Sequence, residues 1–457
     1  MPTKEAHRSL LMRFVHQPTH VGFIMSSDWC ESIVGEIAAP VRNALVGGPF
    51  GSNLVSSDYV DAGIPVIRGQ NMRGRWISGD FVFVTADKAK SLEANLAHPR
   101  DIIFTQRGTL GQVSLVPEKP FDCYLVSQSQ MKLTVNPELA DTLFLYYLFL
   151  TAEQQEYIHK NAIQTGVPHT NLGTLRATPV SLPPLSEQKA IAYFLGTLDD
   201  KIELNRKMNE TLEATARLFF KDWFVDFGPT RAKAEGRPAY FAPELWSLFP
   251  DALDDDDKPV GWTIKPLDQI ANFLNGLALQ KYPSTGTDSI PVIKIAQLRT
   301  GNTTNSDRAS VDLAKQYVVE DGDILFSWSG SLTHLVWTGG RGALNQHLFK
   351  VSSSNYPKWF FFYWISEHMP NFQAIAASKA TTMGHIQRHH LTEALTIVPS
   401  DSVLDSANQM ISPLFEKILS NSLESRTLAQ TRDLLLPKLL SGEIRLRDAE
   451  KIAGQAL

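Results

Sequence analysis

Apolar positions along this chain follow two different periods, and the pair of periods occurs twice. From Trp29 to about Leu182 they come in short runs rich in Val, Ile and Phe, broken by Gly, Asn and Pro: Ile64–Arg68, Phe81–Thr85, Ile102–Thr105, Gly111–Val116 and Gln130–Val135. Such runs predict strands of a mixed sheet, followed by one helix near Asp141–His159. After Pro183 and Pro184 the period changes. Ile191, Leu195, Leu198, Ile202, Leu212, Ala216, Phe219 and Trp223 fall at threes and fours, predicting a helix capped by Ser186. About 40 residues in that pattern make a rod of roughly 60 Å at ~1.5 Å per residue. The order then recurs, with strands at Pro291–Ile295, Asp323–Ser327 and Leu348–Val351. A second helix follows from about Ser402 to Leu440 through Ala407, Ile411, Leu414, Ile418, Leu428, Leu435 and Leu439, and Pro437 should kink or end it.

The recurrence is a sequence repeat at a separation of 216 residues, tightest in the helices. Leu198, Ile202, Asn205, Leu212 and Thr215 recur as Leu414, Ile418, Asn421, Leu428 and Thr431, and Leu182-Pro183 as Val398-Pro399. His169 and Tyr147 pair with His385 and Tyr363 at the same shift. Upstream the register drifts: Asp101 to Phe104 matches Asp323 to Phe326 at 222, Ile64 to Ile67 matches Ile290 to Ile293 at 226, and Trp29 matches Trp262 at 233. Two copies this long are a duplicated domain with loop insertions, so the halves share a scaffold and differ in what they bind. Near-heptad spacing predicts that the two helices pack together as a coiled coil, with Asn205 and Asn421 at equivalent seam positions where a polar residue fixes register. Gly228 to Gly261, with five prolines and the acidic run Asp254 to Asp257, reads as a connector rather than a site.

Composition narrows the class. At 457 residues with 43% hydrophobic and 20% charged residues, the chain suits two or three globular domains. The apolar runs Leu143–Leu150 and Trp359–Ile365 are too short to span a bilayer and read as buried core helices. Two cysteines, Cys30 and Cys123, give neither a disulfide framework nor a cysteine zinc site, which suits a reducing cytosol. The first 24 residues lack the apolar core of a signal peptide.

The net charge of −5 excludes a protein coated in positive charge. Trp29 to Leu182 carries 12 Lys+Arg against 14 Asp+Glu and Trp262 to Ile397 carries 11 against 9, so a nucleic-acid binder must concentrate its cations locally. Arg68, Arg73 and Arg75 lie within eight residues, and Arg107 sits in Gln106-Arg107-Gly108-Thr109. The second copy has Lys294, Arg299 and a cluster of His385, Gln387, Arg388, His389 and His390. No phosphate-binding G-x-x-x-x-G-K-[ST], no H-E-x-x-H and no G-x-S-x-G is present, and neither a methyl-donor glycine motif nor an Asn-Pro-Pro-Tyr type tetrapeptide occurs. Gly47 to Ser52 is glycine-rich, but its Pro49 removes an amide a phosphate cradle would use; it reads as a flexible surface loop. His169 and His385 have no matched carboxylate or cysteine, so no metal site is expected.

These residues resemble a known family. Leu182-Pro-Pro-Leu-Ser-Glu-Gln-Lys onward, Leu198-Asp-Asp-Lys-Ile202, Asn209 to Ala216 and Phe219 to Phe227 are similar to the central helix of the DNA-specificity subunits of type I restriction-modification enzymes. Leu435-Leu-Pro-Lys-Leu-Leu-Ser-Gly-Glu443 resembles the end of their distal helix, and Arg100 to Phe104 and Gly322 to Phe326 resemble a strand motif of their target-recognition domains. The resemblance implies an α+β chain with two similar target-recognition domains separated by a pair of long antiparallel coiled-coil helices in a pseudo-twofold internal repeat. The implied divisions are an N-terminal extension (1–27), a first recognition domain (28–182), a central spacer helix (183–227), a linker (228–260), a second recognition domain (261–398), a distal spacer helix (399–446) and a C-terminal tail (447–457).

It further implies a non-catalytic subunit that recognises a bipartite, asymmetric duplex DNA target in a bacterial or archaeal cytoplasm. Two modification subunits would supply S-adenosylmethionine-dependent adenine methylation, and motor-nuclease subunits would supply ATP- and Mg-dependent translocation and cleavage. A methyltransferase-only or other bipartite-site system is the alternative. Arg, Asn and Gln present bidentate groups to base edges. Candidate DNA-binding residues are therefore Arg68, Arg73, Arg75, Arg107, Gln128, Gln130 and His169 in the first copy. In the second they are Lys281, Lys294, Gln297, Arg299, Asn345, Gln346, His385, Gln387 and Arg388. Candidate spacer and docking residues are Leu198, Ile202, Asn205, Leu212, Phe219, Trp223, Leu414, Ile418, Asn421, Leu428, Leu435 and Leu439.

Overall fold

The computed structural model describes residues 29–163, 167–284, 288–378 and 384–456; the amino-terminal extension lies outside them. It forms two compact units, one made of the chain up to Asp199 with Gln430 onward, the other of Asp200–Ala429. Both long helices, Leu185–Phe220 and Asp401–Leu440, contribute residues to both units.

The first unit holds strands β1 (Cys30–Ile33), β2 (Leu45–Gly47), β3 (Tyr59–Val60), β4 (Ile64–Ile67), β5 (Val82–Val84), β6 (Leu96–Ala97), β7 (Ile102–Thr105), β8 (Val113–Leu115), β9 (Tyr124–Val126), β10 (Gln130–Leu133) and β11 (Pro179–Leu182). β1 pairs with β11, β2-β10-β7-β8 form an antiparallel sheet, and β3-β5-β4-β9-β6 a mixed sheet in which β4 and β9 run parallel. The second unit holds β12 (Thr263–Pro266), β13 (Asn272–Asn275), β14 (Ser289–Ile293), β15 (Arg308–Ser310), β16 (Val318–Val319), β17 (Ile324–Ser327), β18 (His334–Val336), β19 (Gly342–Leu344), β20 (Leu348–Ser352) and β21 (Leu395–Val398). Its sheets, β12-β21, β13-β20-β17-β18 and β15-β14-β19-β16, repeat the plan. Register repeats as well. Cys30 faces Leu182 where Thr263 faces Val398, and Phe104 faces Met131 where Phe326 faces Phe349.

The Asp-Ile-Ile-Phe and Asp-Ile-Leu-Phe runs are uninterrupted because both faces of their strands are buried. Ile102 and Phe104 pack with the helix Thr142–Leu150, while Ile103 packs with Ile67 and Val126 of the mixed sheet. In the second unit Ile324 and Phe326 pack with the aromatic helix Lys358–Ser378, and Leu325 with Ile293 and Leu344. The aspartate of each motif is structural. Asp101 accepts from Thr134 at 2.6 Å and pairs with buried Lys132 at 3.3 Å, and Asp323 pairs with Lys350 at 2.7 Å.

The long helices run antiparallel within each unit. In the first, Asp199 pairs with Arg432 at 2.5 Å and Glu187 with Arg445, in the turn just past the second helix, at 3.0 Å; in the second, Lys201 pairs with Glu424 at 3.2 Å while Asn209 donates to the Ile418 carbonyl at 3.2 Å. Rising numbers on one helix meet falling numbers on the other. The predicted seam residues are buried or half-buried along these contacts.

Several expectations are corrected. The first helix starts at Leu185, one residue before the expected cap Ser186: the Pro184 carbonyl accepts from Glu187 and Gln188, and the Gln188 side chain folds back onto the Pro183 carbonyl at 2.8 Å. Its α-helical part ends at Phe220 and passes into a π-helical turn over Lys221–Val225. Pro437 does not stop the second helix, which reaches Leu440 with the Ser441 amide bonded to the Pro437 carbonyl; proline in the last turn forfeits a single hydrogen bond. The helix expected near Asp141–His159 is two, Thr142–Leu150 and Ala152–Lys160, because extended Thr151 separates them and caps the second through its hydroxyl. The connector is partly core. Gly228–Ala234 is helical, and Phe249 packs edge-on against Trp223 at 4.9 Å. The C-terminal residues form the helix Leu446–Ala456, which buries Ala449 and Ala453 against Leu435 and Leu439.

Candidate nucleic-acid interface

Strand β7 and the loop after it, the turn after β4 and the start of β10 enclose an open polar recess of about 410 Å³ in the first unit, lined by Gly69, Gln70, Arg73, Thr105, Arg107, Gly108, Thr109, Gln112, Ser129 and Gln130. Arg73 and Arg107 are exposed at its edge, and neither guanidinium has a hydrogen bond or ion pair among the described residues. The 108 and 111 positions have φ of 98° and 87°, which suit glycine and let the loop turn tightly enough to carry Arg107 outward. Three candidates from the sequence, Arg73, Arg107 and Gln130, therefore meet in one place. Gln70, Gln112, Thr109 and Ser129 join them without having been singled out. Gln112 was detectable in principle, since it precedes β8 directly across the hairpin from Thr105, whose hydroxyl it accepts at 3.1 Å.

The other first-unit candidates are placed elsewhere. Arg75 donates to the Gly196 carbonyl of the long helix at 3.2 Å and stacks over Trp76, so it ties strands to helix. Gln128 donates to the carbonyls of Gly51 at 2.5 Å and Leu54 at 2.9 Å. That amide clips the glycine-rich loop in place, and Gly48 lies so close to the Ser127 carbonyl that any side chain there would collide. The loop expected to be flexible is held at both ends. Arg68 is half-buried, its amide donating to Asn71 Oδ1 at 3.0 Å and its Nε without a partner among the described residues. His169 sits beside Arg107 through a backbone bridge, with Nδ1 3.1 Å from the Val167 carbonyl.

In the second unit most of the candidate side chains already have partners within the fold. Lys294 pairs with Asp307, and its amide donates to Gln297 Oε1 at 3.2 Å, repeating the Arg68–Asn71 turn. Arg299 donates to Ser331, and Arg388 donates to the Phe273 carbonyl at 3.3 Å with its guanidinium over Phe349. Asn345 accepts from the His347 amide at 3.2 Å, and Gln346 Nε2 lies 3.3 Å from the His347 ring. His385 faces Trp328, and its bridge to Ser329 repeats that of His169 to Arg107. Gln387 leads into the short helix Arg388–Glu393, and Lys281 is an exposed residue ending a short 3-10 turn. His347, Ser329 and Trp328 were not anticipated. His389, His390 and Glu393 have ligand atoms within 4.8 Å of one another, but His390 Nδ1 already accepts the Gln387 amide.

The candidate docking residues on the helices are mostly inward. Leu198, Leu428, Leu435, Leu439 and Trp223 are buried, whereas Tyr193, Leu204, Leu218 and Leu434 remain exposed on the same helices. None of the helices among the described residues is long and apolar enough to cross a membrane.

Comparison with known proteins agrees with this arrangement. The family model for the type I restriction modification DNA specificity domain matches residues 53–214 and again 259–427. The MjaIX specificity subunit of Methanocaldococcus jannaschii is 26% identical over 379 residues, covering 80% of this chain and 82% of the relative. The HindI specificity subunit of Haemophilus influenzae is 26% identical over 400 residues, covering 75% and 86%. The crystal structure of the type I restriction-modification S subunit from M. genitalium superposes with a TM-score of 0.54 at 17% identity, covering 91% of this chain and 97% of that one, so the fold is shared. With two copies of the domain matched along most of its length, the chain belongs to the family of type I restriction-modification DNA-specificity subunits.

Proposed function

We propose that this chain is the recognition subunit that reads a bipartite, asymmetric duplex DNA target and directs partner subunits to it. One observation carries the reading: apart from the extra edge strand β3 of the first copy, the two copies keep equivalent strands in the same order and register, yet differ at the positions that line the recess. Gln130 is matched by Leu348 and Gly69 by Ile295 through the adjoining strand registers, and Arg107 by Ser329 through their bridges to His169 and His385. One scaffold with two sets of contact residues suits two unlike half-sites. Base edges are read by such side chains, whereas phosphates are gripped without regard to sequence.

The chemistry belongs to partners in this reading. Two modification subunits, carrying S-adenosylmethionine and the adenine-methylating centre, dock on the paired helices through outward residues such as Tyr193, Leu204 and Leu218, and motor-nuclease subunits with ATP and Mg complete the restriction complex. The near-neutral charge of each half fits a division in which partners supply much of the phosphate grip. Selection of bound duplexes from a random pool by this chain with its modification subunits should yield two short motifs at a fixed spacing. Replacing 262–397 with the matching segment of another family member should change one motif and leave the other. A pool with no enriched motif, or a swap that changes nothing, contradicts the reading.

A further inference from the structure

The floor of the first-unit recess is built from two side-chain amides whose oxygens each accept from a hydroxyl. The Ser127 hydroxyl donates to Gln130 Oε1, and the Thr105 hydroxyl donates to Gln112 Oε1 at 3.1 Å. Gln130 is 1% exposed, and its Nε2 has no hydrogen-bond partner among the described residues. Gln112 is half-buried, and its Nε2 makes no hydrogen bond among the described residues. A buried amide N–H2 without a partner costs on the order of 1–3 kcal/mol unless something enters to accept from it. Gly69 leaves the entrance open: a Cβ there would stand 3.6 Å from Gln112 Oε1 and 3.8 Å from Gln130 Nε2, so any longer side chain would grow across the amides. With Arg73 and Arg107 at the edge, the recess offers hydrogen-bond donors to whatever occupies it.

We propose that this recess holds the O6 and N7 edge of one guanine in the half-site read by the first unit, with Gln130 and Gln112 as specificity-determining donors. The proposal rests on the DNA-recognition reading above and names the base. Guanine presents two acceptors side by side in the major groove, whereas adenine pairs N7 with the N6 donor. A glutamine reads adenine by accepting from N6 while donating to N7. Here each glutamine oxygen already accepts from a hydroxyl, and the unpartnered atom in the floor is the Gln130 nitrogen, so two adjacent acceptors suit the recess better than an acceptor beside a donor. Thymine offers O4 alone and would bring its methyl against polar amides. At the edge, Gln70 donates to the Asp80 carbonyl at 3.2 Å and keeps its own oxygen, an acceptor suited to N4–H2 of the paired cytosine. A backbone phosphate is also an acceptor, and the methylphosphonate arm of the test below separates it from a base edge.

The second unit lacks this device. Leu348 stands at the Gln130 position and is fully buried, Ile295 stands at the Gly69 position, and the Ser327 hydroxyl is bonded to the Ser331 carbonyl at 2.6 Å. The guanine should therefore be specified in one half-site only through these residues.

The test uses this chain assembled with its modification subunits. Wild-type complex should select a pool with an invariant guanine in one motif, and placing 7-deazaguanine there should weaken binding roughly tenfold or more. Gln130→Leu should relax that one position, lowering its discrimination roughly 10- to 100-fold, while the second motif stays intact. Gly69→Ile, which leaves the amides in place and closes the recess, should relax the same position and guards against misfolding of the first variant. If both variants weaken every sequence equally, and a methylphosphonate rather than 7-deazaguanine reproduces the loss, the recess grips phosphate and the proposal fails. Selection of adenine at the position relaxed by the variants also overturns it. Failure of the wild-type complex to select any motif would instead refute the recognition reading itself.

Discussion

Asn205 Nδ2 donates to the main-chain carbonyl of Asn421 at 3.3 Å, so residues that are counterparts under the 216-residue repeat touch each other in the second unit. The contact belongs to a polar network: Asn205 also donates to Glu424 at 2.8 Å, Asn421 donates to Asn209 at 2.9 Å, and Asn209 donates to Ser422 at 3.1 Å. Both asparagine Oδ1 atoms are buried without partners among the described residues, so the network holds register at some cost in stability.

Asn205→Ala should lower stability by about 1–2 kcal/mol, since it removes the donor to Glu424 and to the Asn421 carbonyl and leaves a gap in the seam. The double variant with Asn421→Ala should lose less than the sum of the single losses by at least about 0.5 kcal/mol. Calorimetric melting of the four proteins checks this, and strict additivity would contradict a shared network.

Each recognition domain is tied to the first long helix by a tyrosine. Tyr147 donates to Asp199 at 2.6 Å in the first unit, and Tyr363, its repeat counterpart, donates to Glu213 at 3.1 Å in the second. Burial and the adjacent carboxylate push both phenols well above the ordinary tyrosine range. Tyr147→Phe and Tyr363→Phe should each cost about 1.5–3 kcal/mol, the range for hydrogen bonds to charged groups. Hydrogen exchange should place the two losses in different units.

His334 on β18 is half-buried beside the helix Lys358–Ser378, with Nε2 2.7 Å from the Ser366 hydroxyl. Burial, helped by nearby Arg217, pushes its pKa down to about 4. The unfolded chain, with an ordinary histidine, binds this proton first, so stability from the neutral ring is present above pH ~6.5 and is lost as the pH falls toward ~4. Between pH 7 and pH 5 the second unit should lose about 2 kcal/mol from this group. His334→Gln should flatten that part of the melting-temperature profile, and an unchanged slope would show that other groups govern it.

The arginines of the first unit should separate by readout. Arg107→Ala should weaken binding of target and non-target DNA by the assembled complex and reduce the salt dependence by about one unit of slope if it meets a phosphate. Arg75→Ala should lower the melting temperature, because that guanidinium bonds to Gly196 rather than facing the recess. The reverse pattern would show that the two residues have been assigned the wrong way round.

Exposed apolar residues on the helices supply a test of assembly. Tyr193 is 77% exposed and Leu218 69% exposed. Tyr193→Asp and Leu218→Asp should leave the melting temperature of the isolated chain within about 0.5 kcal/mol of stability. They should also weaken its association with modification subunits, read by analytical ultracentrifugation.

The sequence by itself determined the duplication, the two long helices and the buried strands around Phe104 and Phe326. Each of these is written in a local period or in a match between copies, and burial on both strand faces forces an uninterrupted apolar run. It also placed Arg73, Arg107 and Gln130 among the candidates. Only the tertiary structure decided which candidates share a recess, because Arg73, Arg107 and Gln130 lie on separate elements joined by pairing of β7 with β10 and by the turn after β4. Arg75, Gln128 and Arg388 have the same donors as the recess residues, yet their partners are backbone carbonyls distant in sequence. Whether a polar side chain satisfies the fold or stays available to a ligand depends on what lies within about 3 Å of it, and residue type and spacing do not encode that distance.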